Sequence, residues 1–433
     1  MGIHEGWLRM GAKYGWVGKG GFANHELPWA KMSARLARTL LASACPAEAW
    51  ESSPPAYSVS GIDLSGAEPE SMPTMLEVAR TGDFFASPPI PGGSAEVRQA
   101  VSKQIDGDRG IRVDSARELI VTEGATGALR AIAEAFVNRG DSVVMIDPGS
   151  PMHQNIMRFR GAEVRSVAAR VNANGFHEVN LGAFTAAVHG ARVLLLSQPN
   201  NPDGGIWNPQ NLGELQWWAK RRDLLVVVDE TYAAYLPEEH RQSLAADPGW
   251  GERILTVGSL SKSHAAAGAR IGWVHGAAPL VAAIQRVVAI QGQAVSWPAE
   301  KAALRLLGSP GVAPAIRKRI EDHRSWAAQK LAGFGMRPTP SRAGIFLWFP
   351  TWNLNPSSRE LVATLWEKCQ VKLTPGEAFG PANQGHVRIN LAGDPGRFQE
   401  GFNRLEKWAD GKEQAFGAQP VGKTQHWDRK KAA

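Results

Sequence analysis

The sequence predicts an α/β fold, a largely parallel sheet covered by helices, followed by a smaller α+β domain. From about residue 117, runs rich in Val, Leu and Ile alternate with helix-like segments. The runs lack polar alternation, which suits strands buried on both faces. Polar and glycine-rich clusters recur at the C-terminal ends of these runs, the edge at which open α/β sheets bind ligands. After about residue 310 the texture changes to charged helical stretches separated by short strand-like pieces, the pattern of an α+β unit.

Taken in order, ELIVTEGAT (118–126) reads as a strand and turn leading into the helical GALRAIAEAF (127–136). DSVVMIDPG (141–149) is the next strand and also precedes a helical stretch. Further strands lie in ARVLLLSQPNNP (191–202), DLLVVVDET (223–231), RILTVGSL (253–260) and ARIGWVHG (269–276). In the C-terminal part IRKRIEDHRSWAAQKLAGF (316–334), SSRELVATLWEK (357–368) and RFQEGFNRLEKWAD (397–410) read as helices. Between them GIFLWF (344–349), CQVKLTPG (369–376) and HVRINLA (386–392) read as strands. Residues 1–57 form an irregular extension with a Gly-rich stretch at 11–22. It holds one candidate amphipathic helix at 29–42, with Trp29, Met32, Leu36, Leu40 and Leu41 near one face. LLASAC before Cys45 looks faintly like a lipoprotein cleavage site. Its apolar run is short, follows Arg35 and Arg38 and starts far from Met1, so no targeting signal is read. Residues 412–433 read as a polar tail.

At 433 residues the chain is long for a single domain. Hydrophobic residues at 43% and charged residues at 21% exclude a disordered or collagen-like polypeptide. No stretch approaches the ~20 unbroken apolar residues of a membrane-spanning helix. The two cysteines, Cys45 and Cys369, cannot build a disulfide framework, and no CxxC pair suggests a zinc site. A reducing cytoplasm is the expected location. The net charge of +7 invites a nucleic-acid reading, but Lys and Arg are spread along the chain. Their only dense run is Arg429-Lys430-Lys431, so neither nucleic acid nor membrane is expected as a partner.

The chemistry sits at the strand ends. Gly124-Ala125-Thr126 lies between a strand and a helix, where small residues let a phosphate approach unpaired helix N–H groups. Pro199-Asn200-Asn201-Pro202-Asp203-Gly204 is by itself a turn sequence. Asp229 closes the run LLVVV, and a carboxylate there has to meet a cation or hydrogen-bond donors. Ser259-Leu260-Ser261-Lys262 ends another strand, with Arg270 following.

In this order, the motifs resemble those of the class I/II aminotransferases, fold type I enzymes that use pyridoxal 5′-phosphate. PNNPDG is similar to the family's PNNPTG, DETY to its Asp-x-x-Tyr, and SLSKSHAAAGARIGW to its Ser-x-Ser-Lys…Gly-x-Arg-x-Gly. VRINLA resembles its C-terminal arginine motif, and the likeness runs from about residue 61 to 410. The resemblance implies a mostly parallel seven-stranded sheet flanked by helices in a large domain at 91–308. It divides the small domain between 58–90, which includes a linker, and 309–411. Lys262 would form a Schiff base with the cofactor and shuttle the proton between Cα and C4′. Asp229 would hold the pyridine nitrogen protonated. Asn201 and Tyr232 would hydrogen-bond the phenolic oxygen. Arg270, Ser259, Gly124, Ala125 and Thr126 would bind the phosphate, and Arg388 the substrate α-carboxylate. A homodimer with active sites at the subunit interface is implied as well.

The sequence departs from the family pattern at several points. Ser150 stands where an aromatic usually stacks on the cofactor ring, with His153 as a candidate substitute; for His153 an ordinary core or surface histidine is the other reading. Phe84 or Phe85 replaces a tyrosine that reaches the partner's phosphate. Ala67, after Gly66, stands where Gly is common beside the substrate carboxylate. Gln291 opens QGQAVSWP where dicarboxylate-specific relatives place an arginine, and the nearest arginine is Arg286, which disfavours an aspartate or glutamate specialist. Trp297 is read either as a pocket wall or as interface packing. The leading expectation is transamination of an α-amino acid, in a specialised biosynthetic setting. A lyase or synthase that expels a β- or γ-substituent, for example from S-adenosylmethionine, is the second reading. A DNA-binding regulator built on this fold is disfavoured, because residues 1–55 lack the successive helices of that module.

Overall fold

The structure is a computed structural model that describes residues 62–66, 89–333, 336–351 and 357–413. The Gly-rich stretch, the candidate helix at 29–42, Cys45, Ala67, Phe84, Phe85 and the tail beyond 413 lie outside the described residues.

The described chain opens with β1 (Ile62–Asp63), α1 (Ala95–Arg109), β2 (Leu119–Glu123), α2 (Gly124–Phe136), β3 (Ser142–Asp147) and α3 (Pro151–Phe159). Next come β4 (Glu163–Val171), β5 (His177–Val179), α4 (Leu181–Val188), β6 (Ala191–Ser197), α5 (Pro209–Arg221) and β7 (Leu225–Asp229). They are followed by β8 (Ile254–Ser259), the single turn α6 (Leu260–Ser263), β9 (Ile271–Gly276), α7 (Ala278–Ile290) and α8 (Trp297–Leu307). The C-terminal part holds α9 (Val312–Gly333), β10 (Phe346–Pro350), α10 (Ser358–Cys369), β11 (Val371–Lys372), β12 (Thr374–Pro375), β13 (His386–Asn390) and α11 (Pro395–Glu413).

The large sheet runs β2-β9-β8-β7-β6-β3-β4-β5. Strands β4, β3, β6, β7 and β8 pair in parallel, whereas β9 is antiparallel to both its neighbours. The sheet has eight strands where seven were expected, because the short β5 folds back antiparallel on β4 at the edge. Alternate residues of each central strand feed opposite cores, as a period of two requires. Val227, Leu195 and Met145 pack with α2, α3 and α7 on one face. Val226, Val228, Leu194 and Val144 pack with α4 and α5 on the other. Both faces are covered, so these strands are apolar throughout.

A smaller antiparallel sheet, β10-β13-β12, and the parallel pair β1-β11 pack with α9, α10 and α11 around a separate core. Local signals fix the helix ends there. Ser357 and Glu360 form a reciprocal cap on α10, and Gln370 in the left-handed region ends it. CQVKLTPG yields two short strands with different partners, β11 on β1 and β12 on β13. Gly124-Ala125-Thr126 is the first turn of α2 itself, not a separate turn before it. Asn383 Nδ2 in the small body donates to Asp147 Oδ1 at the end of β3 (2.7 Å), joining the two sheets beside the ligand-binding edge. Among the described residues no helix is long and apolar enough to cross a membrane.

Candidate active site

Strands β2, β3, β6, β7 and β8 deliver their C-terminal residues to one edge of the large sheet. A cavity of about 160 Å³ lies there, lined by residues from all of these junctions, Lys262 and Asp229 among them. Asp229 ends β7, and its carboxylate is held from two sides. His153 on α3 brings Nε2 to 2.8 Å from Oδ2, and the Thr231 backbone N–H donates to Oδ1 at 2.9 Å. Burial alone raises the pKa of this carboxyl. The His153 hydrogen bond and charge, with the bonds from Thr231, outweigh that effect and hold it below its ordinary value of 3.8. A fixed negative charge therefore faces the cavity. His153, the candidate for stacking, has its ring nitrogen committed to this carboxylate, while Ser150 lines the cavity from the start of α3.

Lys262 is 8% exposed, on the short turn that Ser259 caps by accepting the Ser261 N–H. Tyr235 donates its hydroxyl to the Lys262 carbonyl (2.5 Å), which fixes the backbone that carries the amine. A buried amine, a buried carboxylate and the Tyr232 and Asn201 side chains thus line one cavity.

The far end is built to hold an anion. α2 begins at Gly124 with no side-chain cap, so its first N–H groups are open to a ligand. The Arg270 guanidinium lies over that terminus. A Cβ on Gly124, whose φ is +72°, would sit 2.4 Å from Arg270 Nη2. A Cβ on Gly272 would lie 2.3 Å from the Gly124 carbonyl carbon, so glycine there lets the helix start seat against β9. Ala125, Thr126, Ser259 and Arg270 all line the cavity, and Gly124 stands directly behind the arginine.

Arg388, on β13, is 6% exposed and approaches from the small sheet. Nη1 donates to Asn201 Oδ1 at 2.8 Å, and Nη2 donates to the Ser65 carbonyl at 2.7 Å. Its guanidinium lies over the rings of Phe346 and Phe379, 4.1 and 4.9 Å from their centroids. Of the predicted site residues, Ala125, Thr126, His153, Asn201, Asp229, Tyr232, Ser259, Lys262 and Arg270 line the cavity, whereas Gly124 lies behind Arg270 and Arg388 meets the cavity through Asn201; Ala67 falls outside the described residues, although its neighbour Gly66 does not. Thr231, Met152, Ser65, Phe346 and Phe379 were not anticipated. Thr231 alone had a signal, its place between Asp229 and Tyr232. A second, more open cleft of about 620 Å³ lies on the other side of Arg270 and Thr126, walled partly by Ala294, Val295, Ser296, Pro298 and Ala299. Ala294 to Ser296 and Pro298 of QGQAVSWP thus face the anion end. Trp297 is half-buried with Lys301 Nζ 5.1 Å from its ring centroid and does not line either cavity.

Residues 64–405 match the sequence profile of aminotransferase class I and II. The chain belongs to that family. This aminotransferase is 29% identical over 301 residues to the arginine–pyruvate transaminase of Pseudomonas aeruginosa, covering 69% of this chain and 76% of that one. It is 30% identical over 316 residues to a probable N-succinyldiaminopimelate aminotransferase of Mycobacterium tuberculosis, covering 71% and 79%. The solved structure of the N-succinyldiaminopimelate aminotransferase from Mycobacterium tuberculosis gives a TM-score of 0.78 at 26% identity, over 85% of this chain and 98% of that one. Aspartate aminotransferase from Thermus thermophilus with maleate shares the fold, with a TM-score of 0.73 at 23% identity over 86% and 98%. The protein is a pyridoxal 5′-phosphate-dependent enzyme of aminotransferase type, acting on amino-acid-like substrates.

Proposed function

We propose that this enzyme transaminates an α-amino acid, with Lys262 as the covalent anchor and proton carrier. The observation that carries the reading is the shared cavity. It holds a buried amine, a carboxylate kept ionised by His153, and an arginine over a helix N-terminus, side by side. That set complements pyridoxal phosphate end to end: a cationic ring nitrogen, an aldehyde and a dianion. Bound there, the cofactor supplies an electron sink for the carbanion at the substrate Cα.

The chain's own residues do the rest. Asp229 would hold the proton on the ring nitrogen, and the His153 bond keeps the carboxylate oriented and charged. Asn201 and Tyr232 would donate to the phenolic oxygen. Arg270 and the first N–H groups of α2 would hold the phosphate. The Lys262 amine would take the Cα proton and deliver it to C4′, across the intervening nitrogen. Arg388 would grip the α-carboxylate by its planar fork. Gln291 at the start of the neighbouring segment, where dicarboxylate-specific relatives place an arginine, supports a substrate without a second carboxylate. The reading includes a homodimer, in keeping with the family's usual assembly.

The test is to add a panel of amino acids and S-adenosylmethionine to the purified holoenzyme. Accumulation of pyridoxamine phosphate with a keto acid supports transamination. Release of a β- or γ-substituent without pyridoxamine phosphate overturns it in favour of an eliminating or cyclising enzyme.

A further inference from the structure

The turn that carries Asn201 holds a carboxylate with no part in the proposed chemistry. Asp203 is 2% exposed, and a neutral turn residue would satisfy the same backbone. Both its oxygens lie 3.2 Å from Nε2 of His177, which is wholly buried on the edge strand β5. Oδ1 also accepts from Asn200 Nδ2 at 3.0 Å and from the Gly205 N–H at 2.9 Å. Asn200 Nδ2 in turn donates to the Pro148 carbonyl at 2.9 Å, in the loop that leads to Ser150 and His153. The close approach of the imidazole depends on glycine, because a Cβ on Gly205 would sit 2.2 Å from His177 Nε2. The edge of the Trp207 ring packs against the imidazole, with centroids 4.9 Å apart. Asn201 is thus clamped between two fixed neighbours, and its Oδ1 receives Arg388 Nη1.

We propose that His177 and Asp203 form a buried clasp that positions Asn201 and, through it, the Arg388 guanidinium for the substrate carboxylate. The inference rests on the assignment of Arg388 as the carboxylate site. Neither member of the clasp touches substrate or cofactor; both act through the Asn200–Asn201 turn. It also gives the eighth strand a function, since β5 brings the histidine to the clasp. His386 on β13, stacked on Trp348, is the other titratable group that senses the Asp203 charge.

The experiment measures binding of propionate, an unreactive monocarboxylate, to the holoenzyme, by its protection against thermal unfolding. Arg388→Ala is expected to abolish that binding; if it does not, the carboxylate assignment itself fails. With that control in place, Asp203→Asn is expected to weaken propionate by about tenfold, the scale of one hydrogen bond to a charged group. His177→Gln keeps a neutral donor and is expected to weaken it by about threefold. The double variant should be no worse than Asp203→Asn, because the two residues act as one unit. An Asp203→Asn protein that melts lower yet binds propionate as tightly as the parent would show a purely structural pair and overturn the proposal. Should that variant fail to fold, unchanged propionate affinity in His177→Gln overturns it equally.

Discussion

Asp229 is a carboxylate in a buried setting, and His153 decides its charge. With the imidazole at 2.8 Å the acid stays ionised below its ordinary pKa of 3.8. Substituting His153→Leu removes the larger of the opposing effects and leaves burial, which acts to raise the pKa, countered only by Thr231. We expect kcat to fall by at least about tenfold. We also expect the acid limb of its pH profile to move to higher pH, with cofactor content largely retained; an unchanged profile would show that the Thr231 bonds suffice. The same linkage bears on stability. Asp229 and Asp203 are both depressed in the fold, so their stabilisation is complete above 3.8 and lost as pH falls through the lower folded values. Acid unfolding below about pH 4 should therefore be shallower in Asp229→Asn than in the parent, as read by urea midpoints from pH 3 to 7. At this scale the sequence was informative where a residue's place at a strand end is itself unusual. Asp229 was legible on that ground; Lys262, Arg270 and Arg388 were read from the order of the motifs and the family resemblance, and Arg388 lies within β13, not at its end. The partner of Asp229 was not legible, because His153 is 76 positions away on another element, and a lone histidine carries no sign of the carboxylate it meets.

Among the elements, α2 and β9 make the anion end by touching where a side chain would intrude. Gly272→Ala would place a methyl 2.3 Å from the backbone of Gly124. That contact must push the helix start away, costing about 1–3 kcal/mol. We expect a lower melting temperature and a holoenzyme that sheds its cofactor on dialysis, measured by released pyridoxal phosphate. Strands buried on both faces, such as Val226 to Val228 in β7, were legible because nothing polar interrupts them. β4 and the edge strand β5 were not. β4 carries Glu163, Arg165 and Arg170, and Val167 is its one fully buried residue, so no apolar run marks it. β5 escaped because it is only three residues long.

Across the whole molecule, the site is complete only where the two sheets meet. Lys262 and Asp229 belong to the large sheet and Arg388 to the small one, tied across by Asn201 and by the Asn383–Asp147 bond. Arg388→Ala should raise KM for amino acids by about a hundredfold and affect cofactor content far less, since its fork is assigned to the substrate carboxylate and it meets the cofactor site only through Asn201. The order of motifs announced the assembly, but the packing of Arg388 between Phe346, Phe379 and the Ser65 carbonyl did not show in the sequence. Those residues become neighbours only through the β10-β13 register and the return of β1. The central claim is that one amine anchors the cofactor. Reducing the holoenzyme with borohydride and mapping its peptides by mass spectrometry tests this directly. The account predicts the reduced pyridoxyl phosphate on Lys262 and its disappearance in Lys262→Ala. The adduct on another lysine, or no adduct in a pyridoxal phosphate-saturated protein, would contradict it.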